Sequence, residues 1–200
     1  MPQADPGGGR RILIVQGHPD PAGGHLCHAL AEAYADGATA AGHRVRHIAV
    51  AACDFPLLRS QADFEHGAIP DGLVAAQEAV GWAEHVVLVF PLWLGGMPAL
   101  LRGFLEQVLR PGFAFDYGPG LPRRRLKGRS AHIVVTMGMP ALAYRWIFGA
   151  YALRALERSI LAFVGIRPRR RSLFGGAATA PPARRARWLE RMRRAGGRAR

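Results

Sequence analysis

The sequence predicts an α/β protein built on a five-stranded parallel sheet, doubly wound, with helices on both faces. Three observations carry this. Ile12-Leu13-Ile14-Val15 and Val86-Val87-Leu88-Val89-Phe90 are continuous apolar runs too short for ordinary helices, which is how strands covered on both faces read. Each run leaves through glycine and proline, and each is followed by a helical pattern. The alternation of strand and helix recurs five times, and right-handed crossovers wind such a chain onto both faces of one sheet.

The elements follow in order. After the first strand, Leu26, Leu30, Ala33, Tyr34 and Ala41 keep a helical stripe, and Gly42 stands where a helix stops. Residues 44–50 alternate polar with apolar, so the second strand has one wetter face and lies nearer an edge. Residues 54–70, with Pro56, Gly67 and several charges, read as a long irregular connection before a helix over 71–83. Met97, Leu100, Leu101, Phe104, Leu105, Val108 and Leu109 hold the three-and-four spacing of a third helix, with Pro98 in its first turn. A loop over 111–127 leads to a fourth strand, residues 131–136. A fourth helix carries Tyr144, Ile147, Phe148, Tyr151, Leu156, Ile160 and Phe163, closed by Gly165 and Pro168. Ser172-Leu173-Phe174 reads as a short fifth strand, and residues 181–195 as a terminal helix with a basic outer face.

With 200 residues, half of them apolar, one core and one domain over residues 10–196 are expected. Residues 1–9 read as a disordered lead without the positive start or apolar centre of a targeting segment, and 197–200 as a basic tail. The charge-free stretch 85–101 contains two prolines and two glycines, so no stable membrane insertion is expected. Cys27 and Cys53 lack metal-type spacing and read as two reduced thiols, which places the chain in the cytoplasm. The net charge of +13 favours anionic ligands, yet no nucleic-acid-binding motif accompanies it and no nucleic-acid partner is expected. His28, His43, His47, His66, His85 and His132 read as surface, strand-edge or loop histidines, with no metal site among them.

Chemistry in such sheets sits beyond the carboxyl ends of the strands. The loop Gly17 to His25 can surround a phosphate with backbone N–H groups and a helix start, and His18 or His25 can add a donor. Its prolines and its lack of a Gly-Lys-Ser/Thr ending exclude the usual nucleotide fingerprints. Phe90-Pro91-Leu92-Trp93-Leu94-Gly95-Gly96-Met97-Pro98 places an indole and two leucines in a turn, which suits covering something flat and apolar. Thr136-Met137-Gly138-Met139-Pro140 adds a hydroxyl, close backbone approach and two thioethers. Together the three exits point to FMN or FAD. No nucleophile turn of the hydrolase kind is present.

Gly17-His18-Pro19, the run from Phe90 to Gly95 continued by Met97-Pro98-Ala99, Leu101-Arg102, Phe104 and Glu106, and Phe113-Ala114-Phe115 with Tyr117 resemble the flavodoxin-like NAD(P)H dehydrogenase (quinone) family. That family includes DT-diaphorase, the modulators of drug activity and the ancillary oxidoreductases of potassium efflux systems. The resemblance covers residues 10–176. It implies the flavodoxin-like strand order 2-1-3-4-5, a noncovalent flavin, ping-pong hydride transfer from NADH or NADPH to a quinone or similar electrophile, and a homodimer with the site at the subunit boundary. A redox-sensing subunit docked on a membrane potassium-efflux protein is the alternative it leaves, with a flavodoxin-like electron carrier third.

Carried over by residue, the resemblance places His18, His25, Leu26 and Cys27 at the flavin phosphate. Pro91, Leu92, Trp93, Leu94 and Gly95 form one strip against the ring, and Thr136, Met137, Gly138 and Met139 form the second. Tyr144 is the catalytic candidate, the phenol that stabilises charge on the reduced ring. The chain departs from the family in two places: His25 and Leu26 replace a serine and an aromatic, and Gly149-Ala150-Tyr151 stand where a helix histidine is usual.

Overall fold

A computed structural model describes residues 8–199. Strands β1 (Arg11–Gln16), β2 (Arg44–Ala49), β3 (His85–Pro91), β6 (Ser130–Met137) and β7 (Arg167–Gly175) form one sheet in the order β2-β1-β3-β6-β7, every pair parallel. Two short strands, β4 (Phe115–Asp116) and β5 (Arg123–Arg124), pair antiparallel inside the loop expected over 111–127. With that pair set aside, the order is the expected 2-1-3-4-5.

Side-chain alternation divides the core in two. Ile12, Ile14, Val87, Val89 and Val134 face helices α1 (Leu26–Ala40) and α8 (Pro182–Gly197). Leu13, Val15, Val86, Leu88, Phe90, Ile133 and Val135 face the opposite layer, which includes α3 (Asp71–Trp82) and α4 (Ala99–Val108). Strand β3 lies at the centre and is buried along its whole length, which explains its unbroken apolar run. Close approach joins α1 to α8: a Cβ on Gly196 would stand 2.0 Å from the Tyr34 carbonyl oxygen.

Several expectations change. The connection over 54–70 contains a helix, α2 (Gln61–His66), because the Ser60 hydroxyl accepts from the Asp63 N–H at 3.0 Å and caps its start. The fourth helix is broken. Its apolar stripe reads as continuous, but Gly149 and Ala150 take left-handed φ of 62° and 47°. They separate α5 (Ala141–Trp146) from α6 (Tyr151–Ala155), which continues through a π turn (Leu156–Leu161) into α7 (Ala162–Val164). The fifth strand is nine residues long and contains Pro168, which a sheet edge tolerates; Gly165 alone ends the preceding helix. Finally, His85 and His132 are fully buried. His85 Nδ1 bonds Ser130 Oγ at 2.7 Å, and His132 Nε2 bonds Ser172 Oγ at 2.9 Å.

Helix α8 extends to Gly197, into the segment expected to be a tail. The expectations for residues 1–7 and for Arg200 lie outside the described residues. No helix among the described residues is long and apolar enough to cross a membrane.

Candidate functional site at three strand exits

Strands β1, β3 and β6 are neighbours, so their carboxyl ends open side by side on one rim of the sheet. The exits are tied together by main chain. Gly17 N–H donates to the Val89 carbonyl at 2.7 Å, and Leu92 N–H to the Thr136 carbonyl at 2.8 Å. Gly17 lets the chain pass close to Leu101: a Cβ there would stand 2.6 Å from Leu101 Cδ2 and force that side chain to shift.

The β1 exit gathers imidazoles. His18 is buried and stacks on His25 at 3.9 Å, with His28 at 5.4 Å on another side and the Trp93 indole edge-on at 6.0 Å. Asp20 organises the turn: its Oδ1 accepts from Ala22 N–H at 2.9 Å and its Oδ2 meets His25 Nε2 at 2.7 Å, while its own N–H donates to His18 Nδ1 at 3.2 Å. Burial, then the neighbouring His25 and His28, hold His18 below the usual imidazole value, and Asp20 opposes them. The bond from His25 holds the Asp20 carboxyl below its usual range. His25 is also the N-cap of α1 and makes no side-chain cap bond; the His28 N–H donates to the His25 carbonyl at 3.0 Å, while among the described residues the Leu26 and Cys27 N–H groups meet no acceptor and remain open to a ligand.

The β3 exit is a tight two-residue turn. Trp93 and Gly96 exchange both backbone bonds at 2.9 Å, and Leu94 and Gly95 between them have φ of 47° and 79°. A leucine in the left-handed region costs about 1–2 kcal/mol, yet Leu94 is wholly exposed and gains no packing in return. Among the described residues, the Leu94 and Gly95 N–H groups meet no acceptor. Tyr144 lies buried beneath this turn and donates its hydroxyl to the Gly95 carbonyl at 3.4 Å. Burial pushes its phenol above the usual value, so it keeps its proton at neutral pH.

The expected site residues divide into two depths. His25, Trp93, Leu94, Gly95 and Gly138 are exposed at the rim, with Leu26, Leu92 and Met139 half-buried beside them and His18 buried against the His25 ring. Pro91, Thr136, Met137 and Cys27 lie below, in the wall. The Cys27 thiol meets Thr136 Oγ1 at 3.1 Å, and burial raises its pKa to about 11. The Met137 side chain packs in the core on the α4 side of the sheet. Sequence reasoning missed His28, Asp20 and Gln16. The i, i+3 spacing of His25 and His28 was a usable signal, since it puts both on one face of the first turn. Gln16, the last residue of β1, is buried with both amide atoms unpartnered, and the His28 Nδ1 is likewise unpartnered.

These groups fit a flavin. The unpartnered atoms, the open α1 N-terminus and the imidazoles suit an anionic tail, while the Leu94-Gly95 donors between apolar side chains suit the polar edge of a flat ring.

Comparison with known proteins agrees with this reading. The family described by the flavodoxin-like fold matches residues 10–195. The NAD(P)H dehydrogenase [quinone] 1 of Rattus norvegicus is 27% identical over 138 residues, 66% of this chain and 50% of the relative. An FMN-dependent NADH:quinone oxidoreductase of Bordetella avium is 35% identical over 85 residues, 42% of this chain and 40% of the relative. The match thus spans half or less of the length of these curated relatives. Among solved structures, Smu.1420 of Streptococcus mutans UA159 superposes with a TM-score of 0.80 at 25% identity, covering 94% of this chain and 98% of that one.

Proposed function

On the premise that this chain belongs to the flavodoxin-like fold family, matched over residues 10–195, we propose that it is an NAD(P)H:quinone-type oxidoreductase using noncovalently bound FMN. The observation that carries this is the Trp93-Leu94-Gly95-Gly96 turn, strained at Leu94 and braced from below by Tyr144, facing an imidazole-lined helix start across one rim. The names of the relatives from Rattus norvegicus and Bordetella avium support the same activity.

A flavin held here would supply two-electron redox chemistry between NADH or NADPH and a quinone or similar electrophile. The residues of this chain do the rest. Trp93 and Leu94 cover the reacting face and exclude water. The Leu94 and Gly95 N–H groups, which meet no acceptor among the described residues, would stabilise negative charge on a bound ring without reorganising. Tyr144 holds that turn through the Gly95 carbonyl and keeps a proton beside it. His18, His25 and the first turn of α1 grip the phosphate, fixing the ring's register.

A homodimer belongs to the same reading. Trp146, Ile147, Phe148 and Tyr151 are each more than half exposed, close in sequence to Tyr144, and a second copy would cover them and complete the pocket; light scattering that finds only monomer removes this part. Cys27 and Cys53 are both free, which fits a reducing, cytoplasmic setting. The activity itself is tested by absorbance: protein loaded with FMN should bleach anaerobically with NADH or NADPH and regain its colour on addition of a quinone. Protein that binds no flavin, or whose flavin stays oxidised with both nicotinamides, contradicts the proposal.

A further inference from the structure

A cavity of about 910 Å³ lies at the end of the sheet opposite the strand exits, where the amino ends of β6 and β7 meet the residues preceding β1 and β3 and the end of α8. Its charge is lopsided. Seven cationic side chains line it against a single carboxylate, Glu84, which already accepts from the Arg11 N–H at 3.0 Å.

Two of the seven have structural work. Arg129 donates to the Val80 and Gly81 carbonyls near the end of α3, and Arg10 to the Ala199 carbonyl at 3.0 Å, as cations at helix carboxyl ends do. The other five do not. Among the described residues, Lys127, Arg167, Arg169, Arg170 and Arg198 make no ion pair and no side-chain hydrogen bond. Concentrating five such charges around one concavity costs self-repulsion, which a bound polyanion relieves. Ser130 adds a buried hydroxyl, held by His85 Nδ1.

We propose that this cavity binds a compact oligophosphate, a run of linked phosphates as in inorganic tripolyphosphate or a nucleoside triphosphate. Guanidinium groups match phosphate oxygens in paired geometry, and the volume falls in the range of small-molecule sites. Nucleic acid is the poorer fit, because no aromatic side chain lines the cavity to stack a base. The site is independent of flavin binding, being at the other end of the strands.

Calorimetric titration of the full chain with inorganic tripolyphosphate, ATP, sulfate and a mixed-sequence single-stranded DNA at matched ionic strength tests this. Tripolyphosphate should bind far more tightly than sulfate. The double variant Arg167→Gln/Arg169→Gln, both exposed, should weaken it at least about tenfold, since it removes two charge-assisted contacts to phosphate. The control Arg59→Gln/Arg187→Gln, with equal charge loss away from the cavity, should not. ATP equal to tripolyphosphate supports recognition of the phosphates alone, and tighter ATP supports a nucleotide source. Unchanged circular dichroism and thermal midpoint establish that the variants fold. No binding beyond sulfate, equal losses in both double variants, or DNA binding tighter than either phosphate and lost with Arg167 and Arg169, would overturn the proposal.

Discussion

The imidazoles of His18 and His25 stack 3.9 Å apart and 15° from parallel, although one lies in the strand exit and the other at the N-cap of α1. Burial first, and then the neighbouring His25 and His28, hold His18 below the usual imidazole value. A phosphate beside them changes the balance. It favours the charged form, so binding takes up a proton and affinity rises as pH falls. FMN should therefore bind more tightly as pH drops from about 8 to about 6.5, while riboflavin, lacking the phosphate, shows no such trend. Fluorescence titration reads both. His18→Gln should flatten the FMN slope and weaken binding about tenfold; an unchanged slope removes His18 from the phosphate site.

Leu94 separates stability from function. Leu94→Asn keeps a residue that tolerates the left-handed region and removes an apolar side chain that touches nothing in the free protein. The apoprotein should gain up to about 1 kcal/mol while FMN affinity falls. Chemical denaturation and flavin titration on the same sample check the pair, and affinity that holds or improves argues against Leu94 as a wall of the ring.

Tyr144→Phe deletes one hydrogen bond to Gly95. Because the phenol is buried and its ring remains, the fold should lose only about 1 kcal/mol. The rate of flavin reduction by NADH or NADPH in stopped flow should drop about tenfold, with little change in FMN affinity. Equal rates in variant and wild type would make Tyr144 a core aromatic.

Acid should destabilise this protein through its core. Burial foremost holds His85 at about 4 and His132 at about 3, against 6.5 for the free side chain. Both are depressed cations, so the unfolded chain binds the extra protons. Their stabilising effect is complete above pH 6.5 and is lost as pH falls toward the folded values. Between about pH 6.5 and 5, each histidine should cost about 2 kcal/mol. Urea midpoints across that range measure the slope, and His132→Gln should reduce it. A flat profile contradicts the buried, neutral assignment.

The strands and the turns at their exits were legible because they rest on local burial patterns and turn residues, whereas the strand order came from the family resemblance. β3 shows this, buried throughout, apolar from Val86 to Pro91 and followed by the turn at Leu94 and Gly95. What escaped depends on tertiary partners. The stripe from Tyr144 to Tyr151 reads as one helix, yet Gly149 and Ala150 break it and leave Ile147, Phe148 and Tyr151 exposed. Arg167, Arg169 and Arg171 are the exposed alternate positions of an edge strand, nine residues long where only Ser172-Leu173-Phe174 is expected. His85 and His132 find their serines only across the sheet, at partners 45 and 40 residues away. At the site, the order of the loops was readable, but the depth of Cys27 and Met137 was set by packing from α1 and α4.

The most direct test is a crystal structure with FMN. The isoalloxazine should lie against Trp93, Leu94 and Gly95 with its phosphate at His18 and the first turn of α1. FMN placed elsewhere, including the arginine-lined cavity at the far end of the sheet, or an empty rim at saturating FMN, would contradict the account.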